Sequence, residues 1–149
     1  MSTMRYPEMM IAPMRAQVRD LGAQELRTPE AVDAFVADSR GRTAMVVVNS
    51  VCGCSAGTLV PALQAALSEV RPDTLGTVFA GADLEATERA RALFTGYRPS
   101  SPAVAIFRDG NLVFMLERQQ IQGRTPADVA DALVAGIEAH APSRSGEQA

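Results

Sequence analysis

Residues 43–54, with the sequence TAMVVVNSVCGC, decide the fold of this chain. The first seven, Thr43–Asn49, are nearly all apolar and rich in β-branched side chains, which is typical of a strand buried on both faces of a parallel sheet. Cys52, Gly53 and Cys54 follow, and a helical pattern rich in alanine and leucine then continues to about Val70. The sequence therefore predicts a buried strand, a Cys-Gly-Cys turn and a helix, which Pro61 should kink.

Strand and helix patterns alternate through the rest of the chain. Two amphipathic helices precede residue 43. After the Cys-Gly-Cys helix, the sequence predicts a strand at 75–80 and a helix capped by Asp83. It then predicts strands at 103–107 and 112–116 around Asp109-Gly110, and a last helix from Thr125. A parallel β-α-β unit followed by an antiparallel hairpin is the arrangement of the thioredoxin fold. We therefore predict an α/β protein with a thioredoxin-like β-α-β-α-β-β-α core, a central mixed sheet flanked by helices, and two extra N-terminal helices. Residues 1–141 would form a single domain, and residues 142–149 a polar, disordered tail.

The composition excludes several classes of chemistry. All 14 basic residues are arginine, which excludes Schiff-base chemistry, pyridoxal phosphate anchoring and a Walker lysine. His140 is the only histidine, so zinc sites built on several histidines are excluded. A net charge of −3 without a basic run argues against nucleic acid as a partner. The longest apolar runs have five residues and the N-terminus has no leader-like core, so we expect a cytoplasmic protein without a membrane span.

The two cysteines carry the chemistry that remains. In a reducing cytosol, such a close pair is redox-active, metal-binding or inert rather than a structural staple. Cys52 opens a helix, where free backbone N–H groups and the helix dipole stabilise a thiolate. Gly53 removes a side chain between the sulfurs and permits the backbone angles of a tight, readily exchanged disulfide ring. As an alternative, Cys52 and Cys54 supply half of a zinc or iron–sulfur site that a second chain completes.

A proline marks the loop that should face the cysteines. Pro102 lies directly before the strand predicted at 103–107, the position where thioredoxin-like folds have a cis-proline. We expect a cis Ser101–Pro102 bond, with Ser101 and Pro102 shaping a groove in which an extended thiol substrate pairs with the backbone. Tyr97 and Arg98 in the same loop are candidates for contacts with carboxylates or sugar hydroxyls.

The sequence resembles the bacilliredoxins, a family of thioredoxin-fold proteins with a C-G-C motif that remove bacillithiol from mixed disulfides. The resemblance runs from about residue 5 to residue 141, and VVVNSVCGC at 46–54 is its most specific part. The other matching stretches are APMR at 12–15, TVFAG at 77–81, PSSP at 99–102 and the segment from Arg118 to Gly123. Two positions depart from the family pattern: Gln119 stands where many members have histidine, and Ala141 where some have a third cysteine.

The resemblance implies a role for each residue of the motif. Cys52 would attack and take the small thiol onto itself, and Cys54 would resolve that intermediate, leaving a Cys52–Cys54 disulfide. Gly53, Ser101 and Pro102 would bind substrate, with no organic cofactor or metal. The oxidised protein would be reduced by bacillithiol or by a flavin-dependent disulfide reductase. A general protein disulfide isomerase or reductase is the alternative activity.

Four methionines, Met4, Met9, Met10 and Met14, form a methionine-rich face near the N-terminus. Such a face indicates core packing or a homodimer contact.

Overall fold

A computed structural model describes residues 5–141. Met4 and the predicted tail at 142–149 lie outside the described residues. The α-helices and strands are α1 (Glu8–Arg19), β1 (Gln24–Glu25), α2 (Pro29–Ala37), β2 (Thr43–Asn49), α3 (Val60–Glu69), β3 (Thr74–Phe79), α4 (Leu84–Leu93), β4 (Ala103–Arg108), β5 (Asn111–Leu116) and α5 (Pro126–His140). None of the helices within residues 5–141 has the length and apolar character needed to cross a bilayer.

Strand β2 lies at the centre of a five-stranded sheet with the order β1-β3-β2-β4-β5. It pairs in parallel with β3 and antiparallel with β4, so that Val47 lies opposite Thr77 on one side and Val104 on the other. All seven of its residues are buried, as the apolar run predicts for a strand covered on both faces. The mixed sheet of the predicted fold is therefore confirmed.

The two faces of the sheet carry separate helical layers. Met45 and Val47 of β2 pack with the apolar side chains of α3 and α5 on one face. Ala44 and Val46 point to the other face and pack with α2 and α4. This alternation follows from the two-residue period of a strand. The residues after β2 therefore lie at the carboxyl end of a strand whose two faces are both covered by helices.

The structure differs from the sequence prediction in two elements. Strand β1 was not predicted, because its two residues, Gln24 and Glu25, are polar and its only support is parallel pairing with β3. The interruption expected at Pro61 takes the form of a π-helical turn at Ser55–Leu59, after which α-helical structure resumes at Val60 with Pro61 in its first turn. Proline is tolerated in the first turn of an α-helix because the backbone N–H that it lacks is not needed there.

Candidate active site

The two cysteines lie together at the carboxyl end of β2. Cys52 directly precedes the helical residues 53–69, and Cys54 lies in their first turn. Both are half-buried free thiols, and their Sγ atoms are 2.7 Å apart. The helix start predicted from the sequence thus brings both sulfurs to one point where the thiols can exchange a proton.

The surroundings shift the two pKa values in opposite directions. A hydrogen bond with Cys54 Sγ is the main reason why the pKa of Cys52 lies below its ordinary value; the backbone N–H groups of Cys54 and Ser55 and the charge of Arg118 act in the same direction. The pKa of Cys54 is raised, mainly by burial and then by its interaction with Cys52. Since the thiolate is the nucleophile, Cys52 is the stronger candidate for attack and Cys54 holds the proton.

A buried hydrogen-bond network holds the turn that presents Cys52. Asn49 Oδ1 accepts from Ser50 N at 2.9 Å and from Ser55 Oγ at 2.6 Å, while Asn49 Nδ2 donates to Met14 O at 3.1 Å. Ser50 Oγ in turn accepts from Cys52 N at 3.1 Å. Sequence reasoning missed these residues, although a polar Asn-Ser pair that ends an apolar buried strand is a signal for such a network.

Cys52 opens into a cleft of about 430 Å³, which we call the cysteine cleft. Its lining comprises Tyr6, Ser50, Val51, Cys52, Ala80, Gly81, Ser101 and Arg118. The Ser101–Pro102 peptide bond is cis, as expected from the sequence, and Pro102 is buried directly behind Ser101. Gly53 is exposed and outside the lining, and a Cβ atom there would meet no atom within 4 Å. The thiol form therefore does not require glycine here, and the two roles predicted for Gly53, in the disulfide ring and in substrate binding, stay predictions.

The N-terminal segment forms one wall of this cleft. Tyr6 N donates to Gly81 O at 3.0 Å, and Arg5 donates to Ala82 O at 3.0 Å and pairs with Glu85. Gly81 has a φ of +88°, and a Cβ atom on it would lie 2.5 Å from Tyr6 Cε2. A side chain at this position would be strained by the positive φ and would have to displace the Tyr6 ring, so both observations favour glycine here. Sequence analysis missed Tyr6, since it lies 75 positions before Gly81 in the chain and no local pattern links them.

A buried ion pair joins α1, the helix that follows this N-terminal segment, to the N-cap residue of α4. The Arg15 guanidinium donates to both Asp83 carboxylate oxygens, at 2.9 and 2.8 Å, and to Glu8 at 2.8 Å. The Asp83 carboxylate also accepts from Phe79 N at 3.0 Å. The prediction that Asp83 caps α4 is therefore only half right: it holds the N-cap position, but its side chain makes no capping hydrogen bond because Arg15 and Phe79 occupy its oxygens. These contacts raise the pKa of Arg15.

No third metal ligand joins the two cysteines in the part of the chain that the structure describes. Within residues 5–141 there is no group of three or more His, Cys, Asp and Glu side chains that could hold a metal ion. His140 is the last residue of α5. On the methionine-rich face, Met9 and Met10 are exposed, whereas Met14 packs on Ile11 and Phe79; the homodimer contact stays a prediction.

Comparison with known proteins decides the family. The family model described as disulphide isomerase matches residues 6–141. A bacilliredoxin of Cytophaga hutchinsonii is 50% identical over 126 residues, which are 84% of this chain and 92% of the relative. A bacilliredoxin of Salinibacter ruber is 48% identical over 139 residues, 92% of this chain and 82% of the relative. The chain belongs to the bacilliredoxin family. Its members are thiol–disulfide oxidoreductases, and this chain is one of them.

A solved structure supports the fold of this bacilliredoxin-family chain independently. The thioredoxin of Fasciola hepatica superposes with a TM-score of 0.55 over 78% of this chain and 98% of its own, at 18% sequence identity. Such a likeness establishes the thioredoxin fold alone. The resemblance stated from the sequence motifs is thus confirmed for family and fold.

Proposed function

We propose that this protein removes bacillithiol from S-bacillithiolated proteins in the cytoplasm of a bacterium. The observation that carries the mechanism is the opposed pKa shift of two adjacent thiols at an open cleft: Cys52 lowered, Cys54 raised. Relatives at 48–50% identity that are named bacilliredoxins support bacillithiol as the small thiol. The reducing cytoplasm supports a reaction that starts from free thiols.

In the first step, the Cys52 thiolate attacks the bacillithiol sulfur of the mixed disulfide. A bond forms between Cys52 and that sulfur, the original S–S bond breaks, and the substrate protein leaves as a thiolate that takes up a proton. The N–H groups of Cys54 and Ser55 stabilise the Cys52 thiolate before attack. The substrate protein is now reduced, and bacillithiol is held on Cys52.

In the second step, Cys54 loses its proton and attacks the Cys52 sulfur. Bacillithiol leaves as a thiolate, and Cys52 and Cys54 form a disulfide, so the two-electron reduction of the substrate is balanced by oxidation of the pair. The 2.7 Å separation of the sulfurs supports this short-range attack. Bacillithiol in excess or a flavin-dependent disulfide reductase would return the two electrons.

The position of Ser101 supports substrate binding in the same cleft. Ser101 lines the cysteine cleft, and the buried Pro102 connects it to the start of β4. An extended segment around the modified cysteine would pair with the backbone at Ser101. Gly53, exposed between the cysteines, leaves space above the motif for that segment.

A second candidate function is reduction or isomerisation of disulfides between protein cysteines. The description of the matching family model, disulphide isomerase, favours it. The same two cysteines would then attack a protein disulfide, and no small thiol would be involved.

The two functions are separated by the substrate. One carrier protein is prepared with a single cysteine linked to bacillithiol or to glutathione, and a second carrier with one internal disulfide. The reduced protein is expected to release bacillithiol faster than glutathione, and to reduce the internal disulfide most slowly. A preference for the internal disulfide would contradict the proposal and favour the second function.

A further inference from the structure

Three arginines near the cysteine cleft make no ion pair within residues 5–141, whereas seven of the thirteen arginines in that range do. Seven others pair with a carboxylate, namely Arg5, Arg15, Arg19, Arg27, Arg42, Arg89 and Arg108. Arg91, Arg98 and Arg118 make no ion pair with any carboxylate of residues 5–141. Arg98 belongs to the segment 98–101 that precedes Pro102, and Arg91 and Arg118 each donate a hydrogen bond to Ser100 of that segment.

Arg118 connects the reacting sulfur to a second cleft. It lines the cysteine cleft, and it also lines an adjoining cleft of about 420 Å³, here called the arginine cleft. The other residues of the arginine cleft are Gly96, Arg98, Pro99, Ser100, Glu117, Gln119 and Gln122. The arginine cleft, which holds two guanidinium groups, therefore lies beside the cleft that contains Cys52.

The donors of the arginine cleft are largely free for a ligand. Arg118 Nε donates to Gln122 Oε1 at 3.1 Å, which orients the guanidinium, and its two Nη atoms make no hydrogen bond within residues 5–141. Arg98 is exposed and makes no side-chain hydrogen bond there. Glu117 is the one acidic side chain of the lining, and it already accepts a hydrogen bond from the backbone of Gln120. The cleft thus offers more positive charge than it neutralises.

Arg91 adds a third positive charge behind the same segment. Its Nη2 donates to Ser100 O at 3.5 Å, while its buried Nε has no hydrogen-bond partner in the described chain. Burial lowers the pKa of this guanidinium, yet an arginine keeps its charge. Arg91 is half-buried, and a charge that is partly removed from water without an ion pair is unfavourable. Its field therefore favours an anion on the exposed side of Ser100.

We propose that the arginine cleft binds carboxylate groups of the small thiol carried in the mixed disulfide. Arg98 and Arg118 would contact the carboxylates directly, since guanidinium and carboxylate match in geometry, and Arg91 would contribute charge from behind Ser100. This inference rests on the proposed dethiolation by Cys52. It makes the protein selective for anionic thiols over neutral or cationic ones, whatever the chain that carries them.

The test varies the charge of the thiol and keeps the carrier constant. One peptide with a single cysteine is linked to mercaptosuccinate (two carboxylates), 3-mercaptopropionate (one), 2-mercaptoethanol (none) or cysteamine (an amine). We expect kcat/KM to fall in that order, with about a tenfold difference between mercaptosuccinate and 2-mercaptoethanol, as charge-assisted hydrogen bonds at an open site allow. Added salt should reduce this ratio.

Variants locate the preference in the molecule. Arg98→Gln and Arg118→Gln are each expected to bring the mercaptosuccinate to 2-mercaptoethanol ratio toward one. The ratio is used because Arg118 also acts on the Cys52 thiolate, an effect that is common to both substrates and cancels. Arg40→Gln is the matched control: Arg40 is exposed near the opposite end of β2 and makes no ion pair among the described residues, so the ratio should stay unchanged.

Each other outcome contradicts a different statement. Equal kcat/KM for all four thiols, or a ratio that both cleft variants retain, would overturn the arginine cleft as a carboxylate site. A repeat with aspartates placed beside the peptide cysteine tests the other source of carboxylates: a preference for the peptide's charge instead of the thiol's would overturn the proposal as well. A bacillithiolated carrier run in parallel separates this inference from the proposed function. Failure with all four mixed disulfides while the bacillithiolated carrier still reacts would overturn the carboxylate site alone, whereas failure with the bacillithiolated carrier as well would overturn the proposed function.

Discussion

The two ends of strand β2 treat polar groups in opposite ways. At the end where β2 begins, Thr43 N donates to Asp73 at 2.8 Å, and Ser39 accepts from Asp109 N and Gly110 N at 2.7 and 2.8 Å. At the other end, the half-buried thiols face a cleft, and Arg118 in the lining of that cleft makes no ion pair with any carboxylate of the described residues. One end uses its polar groups to close the fold, and the other keeps reactive and charged groups available for a ligand.

This difference predicts which substitutions should affect the free energy of unfolding and which should affect thiol exchange. Substitutions at the closed end should lower the free energy of unfolding and leave exchange chemistry intact. Substitutions at the open end should change reactivity with little effect on folding. Arg15 is the main exception at the open end, since its charge is buried and fully paired. The buried and fully hydrogen-bonded side chain of Asn49 is another.

The largest effect expected at the open end is on the two cysteines. Cys52→Ser should abolish thiol exchange, because the nucleophile is lost. Cys54→Ser should instead keep the first step and stop before resolution, so that one equivalent of substrate is dethiolated per protein molecule. Gel shift or mass spectrometry, which measures release of the substrate protein, distinguishes the two variants. Identical behaviour of both variants would show that the assigned roles are wrong.

Arg15→Met tests the main exception. It leaves the buried Asp83 carboxylate without its partner, and breaking such a pair costs about 3–5 kcal/mol of unfolding free energy. Arg19→Met on the same helix is the control, since Arg19 is about half exposed and surface ion pairs contribute about 0–1 kcal/mol. Urea denaturation measures both. Equal losses for the two variants would mean that the Arg15–Asp83 pair does not fasten α1.

Ser39→Ala tests the closed end. Ser39 Oγ donates to Val36 O at 2.6 Å and accepts from Gly110 N at 2.8 Å, so its loss should cost about 1–2 kcal/mol of unfolding free energy with no change in exchange rate. Ser68→Ala is the control, because Ser68 is exposed and makes a single local hydrogen bond. A folded Ser39→Ala protein with impaired exchange would contradict the separation of the two ends.

The smallest effect is a shift in pH dependence. Because the pKa of Cys52 is lowered, its thiolate forms at lower pH, and its alkylation rate by iodoacetamide should rise through an inflection below the usual value of about 8.5. Cys54, with a raised pKa, should react only at higher pH. Arg118→Gln removes a favourable charge and should move the Cys52 inflection upward. Peptide mapping after brief alkylation assigns each rate, and an inflection for Cys52 above that of Cys54 would contradict the account.

The central part of the fold could be predicted because its signals are local. The all-apolar run of β2 and the Cys-Gly-Cys turn lie within twelve consecutive residues. The hairpin at Asp109-Gly110 is confirmed, with φ values of 54° and 78°, because a two-residue turn of this kind needs positive φ at both positions. The cis bond at Pro102 could be predicted because Pro102 lies at the position where thioredoxin-like folds have a cis-proline.

The walls of the site could not be predicted because they depend on distant contacts. Strand β1 exists only through pairing with β3, and Arg15 meets Asp83 across 68 positions of sequence. Tyr6 lies beside Gly81 for the same reason. The sequence identifies Arg118 only as part of a segment that resembles the family. Its place between the cysteine cleft and the arginine cleft could not be predicted, because it depends on the return of the chain after β5.

The most direct test of the central claim is the mass of the Cys54→Ser protein after reaction with a bacillithiolated protein, with a glutathionylated one in parallel. The account predicts one bacillithiol adduct that maps to Cys52, together with release of the substrate as a free thiol. A glutathione adduct alone would keep the exchange chemistry and contradict bacillithiol as its thiol. No adduct from either substrate would contradict Cys52 as the attacking nucleophile.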